Sequence, residues 1–422
     1  MSAMKDSGIK WIGQIPKNWG LRKIGSVYEE RNTKVSDKDY APLSVTKQGI
    51  VSQLESAAKT DNGDNRKLIR KNDFVINSRS DRRGSCGISE YDGSCSLINT
   101  VLKPKANMCN KYYSFVFRSE LFADEFYRWG NGIVDDLWST KWSSMKNIYI
   151  PFPTIDKQQK IADFLEEKCS KIDSLIEKQQ KSIEKLTEYK LSVITEAVTK
   201  GLNSDVEYKD SGIKYTGKFP NHWENRKMIS LLSMRVVDGA HESPELYDEG
   251  IPYISATAIE NGKINFDKMR GFISEEYCDI CDQRYVPQLN DILVIKLGAS
   301  TGQVAMVETT DRFNIWVPLA AVRCNKEAIP KFIYYVFQSD YFIKQMEQSW
   351  TYGTQQTLGV KTIERLRVLL PNANEQKIIA KYLDDKICEI NSVIEKKQNL
   401  ISKLEEYKKS LIYEVVTGKK EV

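Results

Sequence analysis

Histidine is almost missing from these 422 residues; the two present are His222 and His241. A zinc site of the usual Cys/His kind therefore has little to draw on. Eight cysteines are scattered at positions 86, 95, 109, 169, 278, 281, 324 and 388, without the dense, even spacing of a secreted disulfide scaffold. The one close pair, Cys278-Asp279-Ile280-Cys281, has zinc-ligand spacing, but no second pair follows it, so reduced thiols and no metal are expected. No apolar run approaches the roughly 20 residues needed to cross a bilayer. The opening Met1-Ser2-Ala3-Met4-Lys5-Asp6 has no apolar signal core, and a cytoplasmic protein is expected. A large charge of either sign is also absent, the net value being +5.

Three catalytic signatures are lacking as well. An amino-methyltransferase needs an Asp/Asn-Pro-Pro-aromatic motif to hold a flipped adenine, and Pro151-Phe152-Pro153 is not that motif. A nucleotide motor needs Gly-x4-Gly-Lys-Ser/Thr, and Gly298-Ala299-Ser300-Thr301-Gly302-Gln303 lacks both the spacing and the lysine. Glu166-Glu167-Lys168 has the residue types of a nuclease cluster, yet it falls in a helical charge pattern, where a solvated face is the simpler reading. The chain by itself is expected not to be an enzyme.

What is present is a folded composition, 41% hydrophobic and 10% aromatic, written out twice. Lys5-Asp6-Ser7-Gly8-Ile9-Lys10-Trp11 returns as Lys209-Asp210-Ser211-Gly212-Ile213-Lys214-Tyr215, and Gly13, Pro16 and Trp19 return as Gly217, Pro220 and Trp223. Asn72-Asp73-Phe74-Val75 matches Asn290-Asp291-Ile292-Leu293, so the second copy holds 14 more residues before Asn290. Aromatic, helix-like runs follow at Tyr112 to Phe122 and Phe332 to Phe342, then apolar strands ending at Pro153 and Pro371. Lastly, Ile161 to Thr199 aligns without a gap on Ile379 to Thr417, with about half the positions identical.

Within those last segments, Leu165, Cys169, Ile172, Ile176, Ile183, Leu186, Val193 and Ala197 recur at spacings of three and four, matched by Leu383, Ile390, Ile394, Ile401, Leu404 and Leu411. This is the seam of a coiled coil. It is interrupted by Gln179 and Lys190, and by Lys397 and Lys408 at the matching places; matched polar positions in a seam set register and partner choice. About 39 residues at about 1.5 Å each give helices of about 58 Å. If the copies are equivalent, the second helix ends where the first domain begins, and the helices run antiparallel. The expected fold is α/β plus long helices, with two α/β recognition domains, an antiparallel two-helix coiled coil and a pseudo-two-fold internal repeat. Its boundaries are 1–155 for the first domain, 156–202 for the central helical spacer, 203–372 for the second domain and 373–422 for the C-terminal spacer.

Residues 1–155 carry 24 Lys and Arg against 17 Asp and Glu, whereas residues 203–372 carry 19 against 22. The basic surplus lies in the first domain. The loop Asn77-Ser78-Arg79-Ser80-Asp81-Arg82-Arg83-Gly84-Ser85 sets three arginines among small polar residues after an apolar strand. The planar guanidinium fits both phosphates and guanine edges, which makes Arg79, Arg82, Arg83 and Ser85 candidate DNA contacts; a solvated loop is the bland alternative. The matching loop offers Lys296, Ser300, Thr301 and Gln303. Near the domain ends, Gln355 and Gln356 supply amides suited to adenine and stand opposite Trp138-Ser139-Thr140-Lys141-Trp142, where Lys141 is the candidate. Lys47 and Gln48 complete the set. Trp19 and Trp223 are read as core packing.

The Asn-Asp-apolar strand with its Gly-containing loop, the runs into Pro153 and Pro371, Gln158 and Gln376 ahead of Ile161-Ala162 and Ile379-Ala380, and the Glu-Tyr-Lys to Val-Thr stretch resemble the specificity subunits of Type I restriction-modification enzymes. The likeness covers essentially the whole chain. It implies two target-recognition domains, each reading one half of an asymmetric, split site on double-stranded DNA. It also implies helical regions that dock two methyltransferase subunits, joined by restriction (translocase) subunits in the full complex. S-adenosylmethionine, ATP and magnesium are then expected on those partners and no cofactor on this chain. The family's Glu-Gln is kept as Glu375-Gln376 but reads Lys157-Gln158 in the first copy. Two readings of other classes compete. A coiled-coil structural adapter without DNA readout leaves two unlike copies of a whole domain unexplained, and a self-contained site-specific DNA enzyme would have to act alone with S-adenosylmethionine or magnesium.

Overall fold

The computed structural model describes residues 3–53, 63–132, 138–214, 216–352 and 356–422, of which the side chains of Ser80 and Tyr352 are left aside. The chain divides into two compact units, one of residues 1–180 with 398–422 and the other of residues 181–397. Two long helices, Ile155–Lys200 and Ala373–Val416, contribute to both.

In the first unit a hairpin of Met4–Asp6 with Gln14–Pro16 leads into Gly20–Lys23, which pairs with the closing strand Tyr149–Phe152. Entry and exit of the domain are thereby tied together. The core sheet is antiparallel, in the order Cys86–Ile88, Phe74–Asn77, Asn99–Pro104, Tyr28–Glu30. The second unit repeats this arrangement. Glu224–Lys227 pairs with Arg367–Leu370, and its sheet runs Val304–Met306, Ile292–Ile295, Leu319–Val322, Val237–Asp238. A three-stranded sheet accompanies each, Gly93–Cys95 with Arg66–Ile69 and Lys34–Val35 in one, and Gly271–Ile273 with Ile251–Ile254 and Asn314–Ile315 in the other.

Between the strands Arg66–Ile69 and Phe74–Asn77 the chain turns at Asn72, whose φ of 72° is left-handed, and the two strands enter different sheets. Asn290 makes the same turn at φ 71°; short polar Asn tolerates this region better than most residues. The aromatic runs are each two helices, Asn110–Arg118 with Glu120–Arg128, and Pro330–Gln338 with Asp340–Gln348. The break falls at Ser119 and Ser339, whose hydroxyls donate to the carbonyls of Val116 (2.7 Å) and Val336 (2.6 Å), competing with the helical ladder.

The Asp of each Asn-Asp pair is buried and carries the turn. Asp73 accepts from Arg31 Nε (2.6 Å) and from the Arg70 backbone N–H (2.8 Å). Asp291 accepts from Arg323 Nε (2.8 Å), Tyr285 Oη (2.7 Å) and the Gln288 N–H (2.9 Å). The extra length of the second copy includes the helix Glu275–Asp282, which carries the cysteine pair. Cys278 and Cys281 are buried, and burial pushes the Cys278 thiol up to about 11. All eight cysteines are free thiols.

Each domain packs on the start of one long helix and the end of the other. In the first unit Tyr28, Phe74, Phe117 and Phe122 share a core with Ile161, Leu165, Leu411 and Val415. In the second, Phe332, Tyr341 and Val368 share one with Ile194, Val198, Ile379 and Leu383. The seam residues are all buried or half-buried. Pairing is antiparallel in both units. Lys408 donates to Asp173 (2.6 Å) in the first unit, and Lys190 donates to Asn391 (3.0 Å) in the second. Moving either pair along the chain by the repeat gives the positions of the other. As expected from the repeat, the second helix ends against the first domain: the Val416 carbonyl accepts from Tyr112 Oη at 2.8 Å, and Tyr413 Oη donates to the Ile12 carbonyl at 3.1 Å. Gly418 lies against Pro16 and Trp19, and Gly201 against Trp223, both at left-handed φ, so Trp19 and Trp223 are packing residues.

Candidate nucleic-acid interface

Each central strand ends in a loop that bonds to the segment near its domain's end. In the first unit the Thr140 N–H donates to the Ser78 carbonyl (2.9 Å), and Arg79 and Ser139 form an isolated bridge. In the second, the Leu358 N–H donates to the Lys296 carbonyl (2.8 Å), and Leu297 bridges Thr357. The sequence-derived candidates from both segments of each copy therefore do meet, at equivalent places.

In the first domain the meeting point is the mouth of a groove of about 600 Å³ lined by Glu30, Lys67, Arg79, Leu97, Lys141, Trp142 and Lys146, among others. Lys67 is buried at its floor, donating to Glu30 Oε1 (3.2 Å) and to the Asn99 carbonyl (2.9 Å). Arg79, Lys141 and Lys146 are exposed and have no carboxylate partner among the described residues. The groove thus has three free cations and an indole, the combination that contacts phosphates and bases. The other two arginines of the loop are engaged: Arg83 pairs with Asp124, and Arg82 lies 3.4 Å from Asp81.

The second domain's mouth is built differently. Lys296 is buried, with Nζ 2.8 Å from Asp238 Oδ2, so a second carboxylate–lysine pair forms a floor, here from a different strand. Gln356 is half-buried, its carbonyl accepting from the Gly298 N–H at 3.1 Å. Gln303 is exposed and lines a hollow of about 510 Å³ with Thr301, Lys190 and Trp350.

Three expected contacts are not at the surface. Ser85, Lys296 and Thr301 are each below 10% exposed; Ser85 backs its loop through its carbonyl, which accepts from the Asn77 N–H (2.9 Å), and Thr301 donates to the Gly298 carbonyl (2.7 Å). They shape the loops. Lys47 and Gln48 are exposed at the tip of the hairpin Leu43–Thr46 with Gly49–Ser52, and they are not among the residues lining the groove. Ser300 is half-buried in its loop. Gln355 lies outside the described residues. Glu30, Lys67, Trp142 and Lys146 were missed by sequence reasoning, because what brings them together is strand pairing between distant segments.

Comparison with known proteins settles the family. The profile described as "Type I restriction modification DNA specificity domain" matches residues 16–185 and again 220–405. This chain belongs to that family. Among relatives, it is 23% identical to the putative type I restriction enzyme MjaX specificity subunit of Methanocaldococcus jannaschii, over 97% of this chain and 95% of that one. It is 20% identical to the EcoKI specificity subunit of Escherichia coli, over 96% and 90%. In fold it is similar to a chain from a study titled "Structural basis underlying complex assembly and conformational transition of the type I R-M system", with a TM-score of 0.70, 14% identity, and 95% and 98% of the two chains covered. A second likeness is to the HsdS subunit of Thermoanaerobacter tengcongensis, with a TM-score of 0.51, 13% identity, and 98% and 100% covered. Among the described residues no helix is long and apolar enough to cross a membrane.

As a Type I specificity chain, it uses its repeated Gln as a clamp at the head of each long helix. Gln158 accepts from the Cys109 N–H and donates to the Pro153 carbonyl, both at 2.9 Å. Gln376 accepts from the Ile329 N–H (2.8 Å) and donates to Pro371 (2.9 Å) and Glu327 (3.0 Å) carbonyls. The residue before it accounts for the departure between copies. Glu375 accepts from the Trp223 indole and faces His222 Nε2, both at 3.0 Å, whereas Lys157 donates to the Val422 carbonyl at 2.7 Å.

Proposed function

We propose that this chain reads a split DNA sequence, one part with each domain, as the non-catalytic recognition subunit of an assembly with methyltransferase and restriction subunits. The observation behind the reading is the pair of mouths: one position in one repeated fold, lined in the first domain by Arg79, Lys141, Trp142 and Lys146 and in the second by the Lys296–Asp238 pair and Gln356. Equivalent sites with unlike chemistry suit two different half-sequences, since discrimination follows the donors and acceptors presented to base edges. The methyl and motor chemistry falls to partners because the chain lacks the sequence motifs for both, and S-adenosylmethionine, ATP and magnesium are assigned to those partners. A cytoplasmic location goes with such an assembly.

The test is to map methylated adenines in cells carrying this chain with its methyltransferase partner. Two short sequences separated by unread bases are expected, and exchanging residues 203–372 for those of a relative should change one of them only. A single contiguous sequence, or a change in both halves, overturns the reading.

A further inference from the structure

The second domain has an acidic balance, yet its reading mouth has a cluster of cations on one buried carboxylate. Asp238 closes the edge strand Val237–Asp238 and is 8% exposed. One of its oxygens takes Lys296 Nζ at 2.8 Å and His241 Nε2 at 3.1 Å, while the other is ion-paired with the Arg284 guanidinium. Arg284 Nε also donates to the Asp238 carbonyl, at 2.9 Å. Lysine fills the floor, but the side chains of Arg284 and His241 remain 48% and 60% exposed. Their outward edges are open to solvent. Beside them, Ala240 bridges Trp316, and the Arg270 guanidinium lies 3.3 Å from the Trp316 ring centroid with no carboxylate partner among the described residues.

Burying a carboxylate is costly unless its partners hold it. This one has more cations than it neutralises, and the first domain places its own pair, buried Lys67 with half-buried Glu30, at the equivalent mouth. We infer that Asp238 is the hub of a backbone clamp in the second domain: it fixes Arg284 so that its free N–H groups meet DNA phosphodiester oxygens, and it holds the His241 ring beside them, whose Nδ1–H joins the clamp when the imidazole is protonated. Arg284 is held at two points, Nε and one terminal nitrogen, which leaves the rest of its fork directed outward. The clamp positions the duplex and carries no sequence information. It supplies locally the positive charge that the domain as a whole lacks. The inference rests on the proposed DNA reading.

The experiment uses the chain assembled with its methyltransferase partner and a duplex containing the mapped site, with affinity measured across a range of salt. Arg284→Ala should weaken binding to cognate and unrelated duplexes by similar factors and reduce the magnitude of the slope of log affinity against log salt by about one. Arg284→Lys keeps the charge and should keep the slope while losing several-fold in affinity. His241→Ala should lower both affinities together, leaving the methylated sequence as it was. A residue that only braced the fold would not change the salt slope, and thermal melting of each variant checks folding directly. If the wild-type assembly binds no DNA, the underlying reading falls and the clamp with it. If the wild type binds and Arg284→Ala matches it in affinity and slope, while Arg79→Ala is weaker, the clamp alone is overturned.

Discussion

At the head of the second long helix, Gln376 has no exposed surface and uses both ends of its amide: the oxygen takes the Ile329 N–H and the nitrogen serves the carbonyls of Pro371 and Glu327. Gln376→Ala takes the side-chain partner from the buried Pro371 carbonyl and from the part-buried Ile329 N–H and Glu327 carbonyl. At about 1–3 kcal/mol for an unmet buried group, and less where water reaches, a loss of about 2 kcal/mol is expected, or roughly 5 °C in melting midpoint. Gln376→Glu should cost at least as much, because a carboxylate cannot donate to the two carbonyls. Midpoints within a degree of wild type for both variants would remove the clamp. Single residues were only partly legible from sequence. The repeated Asn-Asp and Gln stood out because they recur, yet what they hold did not: Asp73 takes its arginine from 42 residues upstream and Asp291 from 32 residues downstream. Partners at unmatched places leave no trace in a repeat.

Elements with a strict period read best. The seam from Leu165 to Ala197 and from Leu383 to Leu411 depends only on local spacing, and every residue of it is at least half-buried. The aromatic helices were harder, since Ser119 and Ser339 interrupt a pattern that stays amphipathic on both sides. Polar seam positions separate the two helix pairings. Lys408 has Asp173 as a partner, but among the described residues Lys190 has only the Asn391 amide, and burial holds its ammonium below the usual lysine range. The unfolded chain therefore binds that proton more tightly than the folded one. Stability rises with pH from the folded value to the unfolded value near 10.4, and at neutral pH the full penalty of the charge is present. Lys190→Leu should relieve it, stabilising by about 1 kcal/mol at pH 7, with the advantage shrinking towards pH 10. Lys408→Leu should gain less. Equal midpoints for wild type and Lys190→Leu at pH 7 would mean the lysine is at ease in the seam.

For the whole chain, the two copies share the order of the four-stranded sheet and have opposite charge balance, 24 cations to 17 anions in residues 1–155 and 19 to 22 in residues 203–372. The internal repeat made the first fact legible before any coordinates; the second could be counted, but which cations are free could not. Replacing Arg79, Arg82 and Arg83 with alanine should weaken DNA binding by the assembled complex and flatten its salt slope, with Arg79 accounting for most of the change because Arg83 is paired with Asp124 and Arg82 lies near Asp81. A single Arg79→Ala variant with an unchanged slope would take that loop out of the interface. The repeat also bears on where the chain must be cut. In the first unit the two ends come together: Lys17 donates from its backbone to the Ala3 carbonyl (2.8 Å), Gly418 lies against Pro16, and Lys157 holds the Val422 carbonyl. In the second, the stretch after Gly201 is mostly exposed and is the matching join between a long helix and the domain hairpin that follows. The join after Gly201 and the meeting of residues 3–17 with 416–422 are thus matching places in the repeat. Connecting Val422 to Lys5 through a short linker and opening the chain near Asn203 should give a permutant that folds, melts within a few degrees of the parent and directs methylation to the same sequence. Linkers of two, four and eight residues guard against simple strain at the new joint. If all three products are insoluble, or fold but direct methylation elsewhere, the two joins are not equivalent.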